Sequence, residues 1–186
     1  MNQIVLENEQ PLDVFSRLLN ERIIFINDII DDSIATEISA TLIQKDIESN
    51  DTIHIFINSE GGNIKDILTI YDVMKMLKSQ IRTVAIGTVA QESVLLLAAG
   101  TKGMRFATQN STIVLSQVYH EGSYYSDLTD ATMVLDLIKK HNSYLMKELS
   151  SCMNKKEKSL QKELMFKKYL SASEAVSYGV IDKVVQ

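Results

Sequence analysis

Apolar runs alternate with amphipathic stretches along the first half of the chain, and this alternation limits the folds that the sequence can adopt. The runs RIIFIND (22–28), TIHIFINSEGG (52–62) and IRTVAIG (81–87) are rich in β-branched residues, which predicts strands. Residues 31–49 and 63–79, which separate these runs, have apolar side chains at helical spacing. Strands and helices in this order build a largely parallel sheet that helices bury on both faces. The sequence therefore predicts an α/β fold.

The rest of the chain continues this pattern without a linker or an internal repeat. Further elements are predicted as a short helix at 11–21 with Pro11 in its first turn, a helix at 91–99, two strands around a polar turn within 104–118, a long helix at 127–153, and a helix with a final strand at 171–185. A chain of 186 residues with one proline and seven glycines fits a single domain, 1–186. The long helix would measure about 40 Å at roughly 1.5 Å per residue. It either projects from the body or packs along it.

Composition excludes several classes of function. The net charge is −5, with acids and bases interspersed and no basic run, which argues against a nucleic-acid partner. No run of about 18 apolar residues is present, so no membrane span is predicted. The single cysteine, Cys152, excludes an internal disulfide and a cysteine-rich zinc site; we interpret it as an incidental thiol, and we predict no metal or cofactor. The N-terminus MNQIVLENEQ lacks signal-peptide features, which favours a cytoplasmic protein, or one of an organelle stroma if a transit peptide has been removed.

The stretch GTVAQESVLLLAAG (87–100) carries the clearest functional signal. Gly87 ends an apolar strand, a short bend follows, and a helix rich in leucine and alanine comes next. Many hydrolases place their nucleophile at such a bend. Here the bend carries Gln91. The chain is therefore either a serine hydrolase whose serine has moved or a hydrolase scaffold that has lost its chemistry.

Five stretches support a comparison with one protein family: DVFSRLLNERIIFI (13–26), IFINSEGGNI (55–64), IYDVMKMLK (70–78), AIGTVAQESVLLLAAGTKGMRFATQNS (85–111) and YLSASEAVSYGVIDKVV (169–185). Together they resemble the proteolytic subunit of the Clp protease, ClpP. This resemblance implies the ClpP/crotonase-like fold, with a protruding handle at 117–153 and a short axial segment at 1–10. It also implies heptameric rings that pair into a barrel, and a Clp/Hsp100 ATPase that feeds the inner chamber.

The resemblance places three non-catalytic residues at the positions of the family's Ser-His-Asp triad. The serine's position is Gln91, the histidine's is Ser116 and the aspartate's is Lys167. An amide is no useful nucleophile, and a lysine would oppose an imidazolium rather than stabilise it. Three losses together resemble the non-catalytic paralogues called ClpR. The sequence therefore predicts a pseudoprotease subunit that forms rings, possessing no activity alone and combining with an active ClpP.

Two alternatives keep an enzymatic activity. A ClpP-type peptidase with a rearranged nucleophile would use Ser93 with His120, or Ser116 with Lys167 as a Ser-Lys dyad. Ser93 lies two residues after Gln91, about 200° around a helix, so its side chain is predicted to point elsewhere. The second alternative is an acyl-CoA chemistry of the crotonase type, for which Glu92 is the nearby carboxylate.

The oxyanion site of the family is only partly retained in this sequence. By resemblance, the backbone N–H groups of Gly61, Gly62 and Glu92 would face an oxyanion. The glycine pair also fits a tight turn that needs positive φ. A carboxylate at position 92 is a poor neighbour for an oxyanion unless it turns outward.

Resemblance also assigns contact surfaces. His54, Phe56 and Met76 match the family's apolar ATPase-docking pocket, with His54 as a departure. Gln117 and Phe166 match ring-contact positions, and Phe166 stands where the family has an arginine that pairs across rings. The remaining histidine, His141, lies beside two lysines in the long helix and is predicted to face solvent.

Overall fold

The computed structural model describes residues 4–7, 10–118 and 127–185, and gives the backbone alone for the residues before 13. The strands in this part of the chain are β1 (Ile4–Glu7), β2 (Gln10–Asp13), β3 (Ile23–Ile26), β4 (Ile53–Ser59), β5 (Ile81–Ala90), β6 (Arg105–Thr108), β7 (Thr112–Leu115), β8 (Lys168–Ser171) and β9 (Lys183–Val185). The α-helices are α1 (Val14–Asn20), α2 (Asp32–Glu48), α3 (Ile64–Met76), α4 (Val94–Ala98), α5 (Leu128–Met153), α6 (Glu157–Glu163) and α7 (Ala172–Tyr178). One 3₁₀ turn, Gln91–Ser93, precedes α4.

The main sheet is largely parallel, as predicted. Its strands run β3-β4-β5-β6-β9, and every pair in this row is parallel. The first half of β5 pairs with β6, while its second half pairs in parallel with β7. The strand β8 then adds to β7 in the antiparallel direction. The chain therefore has an α/β architecture, with helices flanking a mostly parallel sheet.

One face of the sheet is the core, and the other is only half-buried. In β4, Ile53, Ile55 and Ile57 are fully buried against the helices, whereas His54 and Phe56 on the opposite face are partly exposed. The prediction that helices bury both faces was therefore wrong for this part of the sheet. The sequence of β4 contains the reason, because isoleucine alternates with other residue types along the strand with a period of two.

The long helix α5 packs on the body only through its last third. Its buried residues are Leu145, Met146, Leu149, Ser150 and Met153. Toward its N-terminus, Leu128 is 85% exposed and Met133 is 67% exposed. The helix therefore projects from the body.

None of the helices that the structure describes combines the length and apolarity that a membrane crossing requires.

Two predicted boundaries were wrong. The helix expected at 11–21 begins at Val14, because the Asp13 side chain accepts the Ser16 N–H at 3.1 Å as an N-cap. Pro11 lies in β2 instead, opposite Leu6. Gly87 does not end its strand, since β5 continues to Ala90. The short elements α6 and β8 were not predicted at all.

An irregular register explains why β5 extends past Gly87. The pairing of β4 with β5 shifts between Ile57 and Ser59, so β5 carries extra residues there. Gly87 has a φ of 66°, and a Cβ at this position would lie 2.6 Å from Asn58 Oδ1. The same Asn58 oxygen accepts the Thr88 N–H at 3.0 Å. A glycine at 87 therefore lets the strand bend and continue.

Candidate functional site

The bend at the end of β5 is a sharp strand-to-helix elbow. β5 ends at Ala90, and the 3₁₀ turn begins at Gln91, which has a φ of 53°. Residues other than glycine rarely adopt positive φ, and such strain is concentrated at functional sites. Hydrolases use an elbow of this shape to expose a nucleophile. In this chain it presents a carboxamide.

The topology brings the three degenerate triad positions to one edge of the sheet. β7 lies parallel to the end of β5 and antiparallel to β8. Its register pairs Leu115 with Lys168. Ser116 and Lys167 are therefore the first residues beyond this pairing, and Gln91 follows β5 at the same end. The three positions therefore lie at the same end of neighbouring strands, although their side chains are not those of a triad.

Ser116 and Lys167 lack the environment of a Ser-Lys dyad. Ser116 is 5% exposed, and its Oγ donates to the Gln117 carbonyl at 2.9 Å. A lysine base needs burial to give up its proton. Lys167 is exposed. The arrangement therefore gives no support to this pair as nucleophile and base.

Ser93 has a structural environment. Its side chain is fully buried, and its Oγ lies 2.9 Å from the Ser59 carbonyl oxygen and 2.6 Å from that of Ala90. The hydroxyl thus joins the ends of β4 and β5 beneath the elbow. Its proposed partner His120 lies outside the described residues. Ser93 is consequently turned away from the cleft that Gln91 lines.

The glycine turn after β4 is required by a close backbone contact. A Cβ on Gly62 would lie 2.1 Å from the carbonyl oxygen of Ile30. The N–H of Gly61 donates to Ser59 Oγ at 3.2 Å, so it is already used within the turn. The N–H of Gly62 takes no part in the main-chain ladder with Ile30, which uses the Gly61 carbonyl and the Asn63 N–H. Of the two glycines, Gly62 is therefore the candidate oxyanion donor.

Glu92 turns inward rather than outward. Its side chain is fully buried, although it follows the elbow residue directly. A Cβ on Gly61 would lie 3.0 Å from Glu92 Oε2 and 3.0 Å from the Gln91 Cβ. The carboxyl group therefore lies against the glycine turn at Gly61.

A cleft of about 390 Å³ separates the glycine turn from α5. Gly61, Gly62 and Gln91 form one side. The facing residues of α5 lie at helical spacing: Val134, Leu137, Ile138 and His141. A groove of this size, apolar on one side and with main-chain groups on the other, fits an extended peptide segment.

The sequence-based prediction of a solvent-facing His141 was wrong. The two lysines before it suggested a solvent-facing surface, but His141 is half-buried and lines the cleft. The signal was available, because Val134, Ile138 and His141 follow the i, i+4, i+7 spacing of one helix face. The residues directly before a helical position therefore do not show which way its side chain points.

The predicted docking residues lie on two elements. Phe56 on β4 stacks on Phe25 with ring centroids 5.2 Å apart, and both are half-buried. His54 is on the same face of β4; burial, helped by the Arg82 and Arg22 charges, lowers its pKa. Met76 ends α3 and is 78% exposed. The face of β4 that carries Phe56 is thus aromatic, and the same face carries the neutral imidazole of His54.

The predicted ring-contact residues are accessible. Gln117 is exposed, and Phe166 is 81% exposed. Phe166 lies with Met165 and Tyr169 in a short segment whose large side chains are all mostly exposed. This segment precedes and enters β8 and includes Lys167. The segment thus exposes three large apolar or aromatic side chains, interleaved with Lys167 and Lys168.

Cys152 lies in a half-buried site beside Tyr71, whose hydroxyl donates to Glu148 Oε2 at 2.8 Å. Burial raises the pKa of the Cys152 thiol. A thiol of raised pKa is a poor nucleophile.

Within the residues that the structure covers, no group of three or more His, Cys, Asp or Glu side chains is arranged to hold a metal ion.

Two comparisons with known proteins point to the same family. The sequence profile of the family described as Clp protease matches residues 7–186. A curated relative from Frankia casuarinae, described as ATP-dependent Clp protease proteolytic subunit 2, is 37% identical over 179 residues. That alignment covers 96% of this chain and 82% of the relative. The similarity thus includes the sheet, the elbow and α5.

Proposed function

This chain belongs to the Clp protease family, and we propose that within it the chain is a non-catalytic, ClpR-like subunit. In this role it assembles with an active ClpP into heptameric rings of an ATP-dependent Clp protease. The observation that carries the proposal is Gln91 at the elbow, in a scaffold that otherwise keeps the family's cleft. The proposed compartment is the cytoplasm.

Peptide hydrolysis by this family's route needs a nucleophile, a base and a group that orients the base. Gln91 occupies the nucleophile's place with an amide, whose nitrogen is not nucleophilic. The two serines considered as replacement nucleophiles, Ser93 and Ser116, are both buried and both donate to main-chain carbonyls. These contacts support loss of chemistry over a rearranged nucleophile.

The surface supports assembly. The projecting part of α5 exposes apolar residues such as Leu128 and Met133, and Phe166 adds an apolar contact near β8. Exposed apolar side chains in such number favour burial against other subunits. We assign His54, Phe56 and Met76 to docking of a Clp/Hsp100 ATPase, with Gln117 and Phe166 in contacts between rings.

A covalent probe tests the loss of chemistry directly. The purified protein should not be labelled by a fluorophosphonate or a β-lactone probe, and should not cleave a fluorogenic model peptide. An active ClpP run in parallel, with and without heat denaturation, is the control for probe and substrate. Labelling of the native protein that disappears in Ser93→Ala or Ser116→Ala would establish the rearranged peptidase instead.

A further inference from the structure

A row of side chains crosses the half-buried face of the main sheet, on the side away from the core. The strand registers place Phe25 opposite Phe56, Phe56 opposite Val84, Val84 opposite Phe106, and Phe106 opposite Lys183. Residues opposite each other in paired strands have their side chains on the same face of the sheet. The row is therefore aromatic over most of its width, and it ends in a cation on β9.

A pocket of about 460 Å³ opens at the β9 end of this row. Phe106 and residues 183–185 line it, together with Arg82 and Gln109. The described residues around the pocket include two cations, Arg82 and Lys183, and no carboxylate. The pocket is thus positively charged, and an aromatic ring and valines form part of its walls.

Arg82 is held in position, but its charge is not neutralised. Its guanidinium carbon lies 4.5 Å from the centre of the Phe106 ring, which is a cation–π contact. Its Nε is buried without a hydrogen-bond acceptor, and no carboxylate among the described residues forms an ion pair with it. Arg105 differs, because its guanidinium pairs with Asp182. Arg82 therefore lacks, within the described chain, the anionic partner that Arg105 has.

The strand beside the pocket offers main-chain groups as well. β9 (Lys183–Val185) is the last strand in its row of the sheet and pairs with β6 alone among the strands that the structure describes. An extended segment of another protein can add to such an edge through main-chain hydrogen bonds. An edge strand next to a cationic, apolar pocket favours a peptide as the occupant over a small free anion.

We propose that this pocket binds an acidic segment of a partner protein. In the complex, an apolar side chain of the segment packs on Phe106, and a neighbouring carboxylate pairs with Arg82 and Lys183. A guanidinium held in one orientation is well suited to such a pair, because its donors match the geometry of a carboxylate. The inference deepens the proposed function and rests on it in one respect, since it treats the face that also carries His54 and Phe56 as the docking surface.

Two matched peptides test the role of the carboxylate. One is a fluorescein-labelled pentapeptide with the order leucine, aspartate, phenylalanine, aspartate, leucine; the other has asparagine in place of both aspartates, which keeps the size and removes the charge. Binding to the full chain is followed by fluorescence anisotropy at low salt. We expect the wild type to bind the acidic peptide at least about 10-fold more tightly than its amide twin. Equal affinity, or no binding of the acidic peptide, would overturn the proposal.

Variants of the two cations place the binding in this pocket. In Arg82→Gln the preference for the acidic peptide should fall to about 3-fold or less. Lys183→Gln, at an exposed position of β9, is a second variant that does not disturb the packing on Phe106, and it should lower the preference about 2-fold or more. Lys158→Gln removes an exposed charge on α6, outside the pocket, and should keep the full preference. An unchanged preference in either pocket variant, or an equal loss in Lys158→Gln, would contradict the proposal.

Inorganic phosphate distinguishes a peptide site from a site for any small anion. Phosphate can pair with the two cations, but it has no apolar group to pack on Phe106 and no main chain to pair with β9. It should therefore displace the acidic peptide only at concentrations far above the dissociation constant of the peptide. Displacement at equal concentrations would overturn the peptide as the occupant.

Co-purification of the cognate Clp ATPase separates this inference from the function on which it rests. Binding of the acidic peptide by a protein that retains no ATPase would overturn the docking assignment and leave the acidic site standing. Retention of the ATPase by a protein that binds both peptides equally would overturn the acidic site and leave the docking assignment standing. The two failures are thus distinguishable.

Discussion

The carbonyl oxygen of Ile30 lies 2.1 Å from where a Cβ on Gly62 would stand, so the glycine turn and the chain after β3 meet backbone to backbone. Ile30 N–H donates to the Gly61 carbonyl at 2.9 Å, and Asn63 N–H donates to the Ile30 carbonyl at 3.1 Å. This contact holds the start of α3 and one side of the cleft in place. The turn is therefore a structural requirement, whatever chemistry the cleft serves.

Gly62→Ala should lower the free energy of unfolding by about 3–5 kcal/mol, because the added methyl group forces apart main-chain atoms that share two hydrogen bonds. Gly103→Ala is the matched control: Gly103 also has positive φ, at 88°, but a Cβ there meets no atom within 4 Å. Its cost should be about 1–2 kcal/mol, from the left-handed conformation alone. Urea unfolding of both variants checks this, and equal costs would show that the contact with Ile30 is not tight.

Ser93→Ala should destabilise the fold without changing chemistry. The variant removes the single hydroxyl donor shared by the buried carbonyls of Ser59 and Ala90, at a cost of about 1–3 kcal/mol. Ser143→Ala on the exposed face of α5 should stay within about 0.5 kcal/mol of wild type. Neither the wild type nor the variants should react with a fluorophosphonate probe. Loss of an existing label in Ser93→Ala would support the rearranged nucleophile.

Asp182→Asn should be costly above pH 4. Asp182 pairs with Arg105, which is 4% exposed, at 2.5 Å, and also accepts the Gly103 N–H at 2.7 Å. Burial of Asp182 opposes its charge, but the bonds from Arg105 and Gly103 outweigh it and lower its pKa. Breaking such a pair should cost about 2–4 kcal/mol at neutral pH.

The pH dependence follows from the lowered pKa of Asp182. The stabilisation is complete above the ordinary pKa of an aspartate, about 3.9, and is lost as pH falls through the lower folded pKa. Wild type and Asp182→Asn should therefore converge in stability below about pH 4. The exposed Asp136–Lys139 pair is the control, and Asp136→Asn should cost less than about 0.5 kcal/mol at every pH. A constant difference between wild type and Asp182→Asn down to low pH would contradict the account.

Met76→Asp should impair ATPase docking without affecting the fold. Met76 is 78% exposed at the end of α3, so a charge there costs little stability but cannot enter an apolar partner. Co-purification with the cognate Clp ATPase, in the presence of a slowly hydrolysed ATP analogue, should fall at least about 10-fold, the effect of roughly 1.4 kcal/mol. Ser173→Asp, which adds the same charge to an exposed position of α7, should leave docking intact. Equal docking by both variants would exclude Met76 from the docking surface.

Local patterns predicted the architecture well. The alternation of strands and helices predicted the α/β fold, and the apolar faces predicted α2, α3 and α5. The elbow at Gln91 was visible because a glycine, a polar bend and an apolar helix follow one another in the sequence. Each of these signals depends on neighbours within a few turns of chain.

Features that depend on distant contacts were missed. The continuation of β5 past Gly87 depends on Asn58, from another strand, which accepts the Thr88 N–H. The inward direction of Glu92 depends on the glycine turn after β4, against which its side chain lies. The edge strand β8 forms because β7 offers it a partner. No local pattern contains such information.

Native mass spectrometry of this protein, alone and mixed with the active ClpP of the same source, tests the central claim most directly. A peptide-hydrolysis assay is run on the same samples. The account predicts heptamers that contain both subunits, and hydrolysis only when the active ClpP is present. Rings that never mix, or hydrolysis by this protein alone, would contradict it.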